Sequence, residues 1–104
     1  MTNRELLEAA AKAAGIALEW QADGWAHCLD TGCEWNPLTD DGDALRLAVK
    51  LRIAVDFDGI ENGTAQAMQT DGARWEIEPY GTDPYAATRR AIVRAAAEIG
   101  RSKT

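Results

Sequence analysis

His27, Cys28 and Cys33, with Asp30 and Glu34 close by, are the residues of this 104-residue chain whose types match metal-ligand or nucleophile chemistry. Zinc needs three or four converging N, S or O ligands, and structural sites draw on paired Cys or His motifs. The pattern His-Cys-x4-Cys supplies no second pair. Neighbours on a strand point to opposite faces, so His27 and Cys28 would aim away from each other. A Cys-His nucleophile needs the thiol within hydrogen-bond reach of the imidazole and a third group to orient it. Nothing in the spacing fixes Cys33 and His27 that way, so the expectation is a half-buried histidine and two plain thiols.

Asp40, Asp41 and Asp43 resemble the start of a calcium loop, but its remaining oxygen positions and terminal glutamate are missing. Helix capping accounts for them, since carboxylates at a helix start gain roughly 0.3 to 1 kcal/mol each from the dipole. There is no phosphate-binding Gly-Lys-Ser/Thr loop, no dinucleotide glycine pattern and no activated-serine elbow. The chain is therefore expected to be non-enzymatic, with no catalytic residue, no cofactor and no metal.

Groups suited to binding are more plentiful. Of four tryptophans, Trp75 is expected in the core against Met68, whereas Trp25 and Trp35 sit at turns, where an aromatic either plugs a core edge or anchors a partner. Arg89, Arg90 and Arg94 are expected to form a basic strip on the outer face of the last helix. Such a strip is a solvated face, a contact for an acidic partner or phosphate backbone, or a patch that meets the acidic body of a second copy and favours a homodimer.

The net charge of −6 is uneven: the stretch from Pro84 onward carries Arg89, Arg90, Arg94, Arg101 and Lys103 against Glu98 alone, so the rest is strongly acidic. An acidic body disfavours nucleic acid, whose attraction depends on clustered Lys and Arg, and suits a basic protein surface or solubility. Arg4, Glu5, Glu8 and Lys12 interrupt any secretory signal, and no stretch approaches about eighteen uncharged residues. The expectation is a cytoplasmic chain with no membrane contact and reduced thiols.

The elements that must position these groups are legible from caps and periodicity. With 46% hydrophobic and 27% charged residues in 104, one globular domain spanning 1–104 is expected. Thr2 and Glu5 form a capping box for a helix to Ala14, ended by Gly15 with Ile16 as its apolar contact. Asp23-Gly24 joins two alternating runs as a two-residue hairpin turn, pairing Trp20 with His27 and Leu18 with Leu29 on one face. A second helix runs from about Gly42 to Lys50, burying Ala44, Leu47, Ala48 and Leu51 and leaving out Arg46 and Lys50. Leu51 to Phe57 alternates as a strand, followed by a loop with Gly59 and Gly63. Asp71-Gly72 then sets Met68 opposite Trp75 and Gln66 opposite Ile77. Asp83-Pro84 opens a last helix with Tyr85, Thr88, Ile92, Ala95 and Ile99 as its core stripe, ended by Gly100, with 101–104 as a frayed tail. Two-residue turns make the strands antiparallel, so the fold class is α+β: an antiparallel sheet packed with about three helices in a layered sandwich.

The segment Trp35-Asn36-Pro37-Leu38-Thr39-Asp40-Asp41-Gly42-Asp43-Ala44-Leu45-Arg46-Leu47, running into a strand, and the helix opening Asp83-Pro84-Tyr85-Ala86-Ala87 resemble small phage and prophage proteins of the phage ABA sandwich, or NinX-like, group. The resemblance implies an antiparallel sheet with helices around it, a phage or prophage origin and no established enzymatic activity. The hairpin around Asp23-Gly24 and the basic terminal helix depart from that pattern. The expected role is a binding protein acting stoichiometrically on a host or phage protein, such as an inhibitor of a host defence or regulatory system. The alternative is a nucleic-acid-associated accessory protein using the basic face of the last helix.

Overall fold

The computed structural model describes residues 2–56, 64–69, 75–79, 81 and 83–102. They form α1 (Asn3–Ala14), β1 (Leu18–Trp20), β2 (Ala26–Cys28), α2 (Asp41–Leu51), β3 (Ile53–Asp56), β4 (Thr64–Gln69), β5 (Trp75–Pro79) and α3 (Pro84–Ser102). This is the expected α+β order, and the strands divide into two antiparallel sheets, β1-β2 and β3-β4-β5. The expected turn at Asp71-Gly72, the loop with Gly59 and Gly63, and Phe57 lie outside the described residues.

Local signals gave the helix starts. Thr2 and Glu5 make the reciprocal capping box, and Gly15 takes φ +70° while the Ile16 N–H reaches the Ala11 carbonyl at 2.9 Å. Asp40 caps α2 by accepting from the Asp43 N–H, and Ala44, Leu47 and Ala48 are buried as the periodicity requires. Strand β3 begins at Ile53 and not at Leu51, because Leu51 is still helical. Arg52 then turns the chain at φ 55° with its N–H on the Ala48 and Val49 carbonyls.

The first hairpin is one residue out of the expected register: Trp20 pairs with Ala26, Glu19 with His27 and Leu18 with Cys28. A two-residue type I′ turn needs positive φ at both Asp23 and Gly24, and only Gly24 has it, at +89°. The chain instead makes a three-residue loop, Ala22 to Gly24, with the Gln21 N–H on the Trp25 carbonyl at 2.8 Å and the Gly24 N–H on the Gln21 carbonyl at 3.0 Å. Slipping by one residue exchanges faces, so Trp20 lies with Ala26 and Cys28 while His27 lies with Glu19. The second hairpin has the expected register, Met68 opposite Trp75 and Gln66 opposite Ile77.

Helix α3 departs most from expectation. It packs on α1, α2 and all three strands of the larger sheet, so more than one stripe is covered. Ala87, Ala91, Ile92, Val93, Ala95, Ala96 and Ala97 are all buried, whereas Tyr85, expected in the core, is 71% exposed. Gly100 does not end the helix. It is buried inside it, where an added Cβ would overlap the Ala9 carbonyl of α1, so its lack of a side chain lets the two backbones approach. The expected frayed tail is helical at Arg101 and Ser102; Lys103 and Thr104 lie outside the described residues.

The core joins Leu6, Leu7 and Ala10 of α1, Leu47 of α2, Ile53 of β3, Ala67 of β4, Ile92 and Val93 of α3, and Trp35. No helix among the described residues is long and apolar enough to cross a membrane.

Candidate functional site

Arg89, Arg90 and Arg94 of α3 are partly buried and paired with neighbouring elements, and do not form the expected free outward strip. Arg89, only 16% exposed, bonds the Leu38 carbonyl through Nε at 2.9 Å and Asp41 through Nη1 at 2.6 Å, tying α3 to the start of α2. Arg90 reaches Glu78 at 3.0 Å and Asn3 at 3.1 Å. Arg94 bridges Glu76 at 3.1 Å and Glu78 at 3.2 Å and donates to the Ile77 carbonyl. The cause is an inverted β5: Glu76 and Glu78 pair across from Ala67 and Ala65 on the side facing α3, and Ile77 is 50% exposed. Small alanines opposite leave room for two carboxylates, and a carboxylate buried like Glu76 requires a cation. The core placement expected for Trp75 falls outside the described side chains.

Trp35 is 7% exposed and belongs to the core, so of its two readings the structure adopts the plug. Its N–H bonds the Ala26 carbonyl, which brings the loop after β2 back onto the hairpin. Asp43, read from sequence as a helix-start residue, is buried: Oδ2 accepts from the Asn36 N–H at 3.0 Å and Oδ1 from Arg46 at 2.7 Å. Asp40, Asp41 and Asp43 thus serve as cap, Arg89 partner and loop anchor.

The backbone of His27 forms a β-bridge with Glu34 and pairs in register with Glu19, whereas the Cys28 N–H bonds the Cys33 carbonyl at 2.9 Å. Alternation puts His27 and the two cysteines on opposite sides of the hairpin. Both thiols are free, and among the described residues no three His, Cys, Asp or Glu side chains are grouped to hold a metal ion.

Trp25 remains available. It sits after the αL glycine of the hairpin loop, 42% exposed, with its N–H fixed by the Asp23 carboxylate at 3.0 Å. Beside it a concavity of about 400 Å³ runs between the hairpin and α1, lined by Trp20, Leu7, Asn36 and Leu38 among others. Arg4 lies 4.4 Å over the Trp20 ring at its edge. Leu29, which the sequence reading paired with Leu18, is 56% exposed just after β2.

The hairpin and the loop after it carry charge of one sign, with Arg4 of α1 at the border of the concavity. No Lys or Arg occurs between Lys12 and Arg46, and Glu19, Asp23, Asp30 and Glu34 are exposed without a cation partner among the described residues. Elsewhere Glu8 is matched with Arg4, Asp43 with Arg46, Asp41 with Arg89 and Glu98 with Arg101, while Glu5 and Asp83 accept backbone N–H groups at helix starts. The unmatched negative charge and the exposed tryptophan therefore share one lobe.

A second concavity of about 370 Å³ lies between α2, α3 and β3, lined by Ala44, Leu45, Ala48, Val55, Tyr85 and Ile92 with Asp41 and Arg89 at its margin. Leu45 (64%), which lines it with Tyr85, and Val49 (70%) one turn further along α2 are exposed. Sequence reasoning missed them, although both fall off the Ala44-Leu47-Ala48 stripe and so had to face outward.

No family model matches the chain, and no curated protein or solved structure shows significant similarity to it.

Proposed function

We propose that this chain is a non-enzymatic binding protein that docks on a basic protein surface through the lobe made by β1, β2 and the loop leading to α2. The observation that carries the reading is the coincidence of Trp25 and Leu29, both exposed, with the unmatched carboxylates of Glu19, Asp23, Asp30 and Glu34. Tryptophan anchors account for a disproportionate share of interface energy, often 2 kcal/mol or more by truncation. Complementary charge adds association rate and selects against acidic partners. Many of the other polar side chains, Thr2, Asp40, Asp43, Asp83, Arg89 and Arg94 among them, cap helices or pair internally, which supports binding over catalysis.

The resemblance of Trp35–Leu47 and Asp83–Ala87 to phage and prophage proteins extends the proposal to a host or phage protein as the target, met in the cytoplasm and held stoichiometrically, as an inhibitor of a defence or regulatory system would hold it.

Affinity capture from bacterial lysate tests this, with the tagged chain beside Trp25→Ala and the pair Glu19→Lys, Asp23→Lys. One basic protein retained at equimolar ratio, released by salt and lost with either variant, is the expected result. Retention by Trp25→Ala equal to that of the unaltered chain, or no retained protein, would reject the proposal.

A further inference from the structure

Beyond Cys28 the chain turns and lies back along β2. The Cys28 N–H bonds the Cys33 carbonyl at 2.9 Å, the backbone of His27 bridges to that of Glu34, and the Trp35 N–H bonds the Ala26 carbonyl at 2.9 Å. Together these contacts set one antiparallel register, in which Cys33 stands opposite Cys28 and Trp35 opposite Ala26. Gly32 closes the turn: at φ +69° its N–H bonds the Cys28 carbonyl at 2.8 Å, as in a bulge with glycine at its left-handed position. Thr31 braces it, with Oγ1 accepting from the Cys33 N–H at 3.2 Å. Opposite residues in such a register share a face, so both thiols project on the side away from His27. They border one concavity of about 400 Å³ between this turn and α2, together with Ile16, Trp35 and Leu47. Cys33 is exposed and Cys28 half-buried, and both are free thiols.

Opposite residues of a hydrogen-bonded antiparallel pair have Cα atoms about 5.5 Å apart. A disulfide most often spans about 5.5 to 6 Å between Cα atoms. The backbone register therefore supplies the spacing of a bridge, and side-chain rotation completes it. We infer that Cys28 and Cys33 form a reversible intramolecular disulfide when the chain meets a low-molecular-weight disulfide such as glutathione disulfide. Cys33, the more exposed, reacts first: its thiol loses a proton, the thiolate attacks one sulfur of the glutathione disulfide, and that S–S bond breaks to release one glutathione, which takes up a proton. Cys28, deprotonated in turn, attacks Cys33 Sγ and expels the second glutathione. Two protein thiols are thereby oxidised by two electrons, and one glutathione disulfide is reduced to two glutathione molecules. Because the imidazole of His27 lies on the other side of the hairpin, each thiol has the other as its reaction partner. The bridge depends on this register and not on the function proposed for the Trp25 lobe.

Intact-mass analysis of the folded chain in glutathione buffers of graded redox ratio, with remaining thiols capped by alkylation, tests the bridge. Loss of two hydrogens is expected, with no glutathione bound, no thiol left to alkylate, and full reversal by dithiothreitol. Cys33→Ser, at an exposed position, and Cys28→Ala should each show no such loss and stop at a single glutathione adduct. Urea removes the register, so at a fixed glutathione ratio the proportion of bridged to open chain should fall about tenfold on unfolding. A folded chain that stops at glutathione adducts, that bridges only between two copies, or that bridges no more readily than in urea overturns the inference.

Discussion

Asp43 holds the Asn36 N–H with one carboxylate oxygen and Arg46 with the other, at the join between an irregular loop and α2. Asp43→Ala leaves that N–H without its acceptor, and the expected loss is about 1 to 3 kcal/mol in urea unfolding, with the loop amides exchanging faster. Arg94→Ala strips Glu76 of a cation while the carboxylate stays buried under α3. Because Arg94 itself is 35% exposed, the expected loss is about 2 to 3 kcal/mol, at or below the low end for breaking a buried pair. Glu5 carries the resolved pH dependence. Hydrogen bonds from the Thr2 backbone and then its side chain hold the Glu5 carboxyl below the usual range. Its contribution is therefore complete at neutral pH and lost as pH falls through the lowered value, so exchange in the first turn of α1 should quicken in acid, and Glu5→Gln should flatten that response. Caps such as Thr2 and Asp40 were legible because donor and acceptor lie three residues apart. Glu76 was not, because the alternation of β5 reads equally well with Trp75 and Ile77 inward, and only α3, far along the chain, decides which face is covered.

Elements announced themselves where one face is covered and misled where several are. Helix α2 buries Ala44, Leu47 and Ala48 of the stripe its spacing predicted, whereas α3 meets helices and sheet together, so its alanines matter more than its larger side chains. Gly100 shows the difference most directly. In an exposed helix Gly→Ala gains up to about 1 kcal/mol, but here the added methyl would meet the Ala9 backbone. Gly100→Ala should instead destabilise by about 1 to 3 kcal/mol in thermal unfolding, as overpacked sites do. The hairpin register failed for a reason of turn chemistry, because Asp-Gly also suits a three-residue loop with glycine alone at positive φ. That one-residue difference separated His27 from Trp20.

Across the whole molecule, charge is sorted: Arg89, Arg90 and Arg94 of α3 are matched within the fold, and Glu19, Asp23, Asp30 and Glu34 stand unmatched on the lobe that carries Trp25. The overall acidity was readable in the sequence, but its location was not, since it depends on which carboxylates find cations across the fold. Trp25→Ala should leave the melting temperature nearly unchanged, within about 0.5 kcal/mol of stability, while Trp35→Ala, in the core, should cost about 3 to 5 kcal/mol. That contrast in two calorimetric scans separates a docking tryptophan from a packing one.

Helix α3 touches α1, α2 and every strand of the larger sheet, yet it is the last of the described elements along the chain. During translation, the earlier segments emerge with their apolar faces prepared and nothing to close over them. The core of this domain is therefore completed only once α3 has cleared the ribosome, and until that moment those faces stay open to solvent.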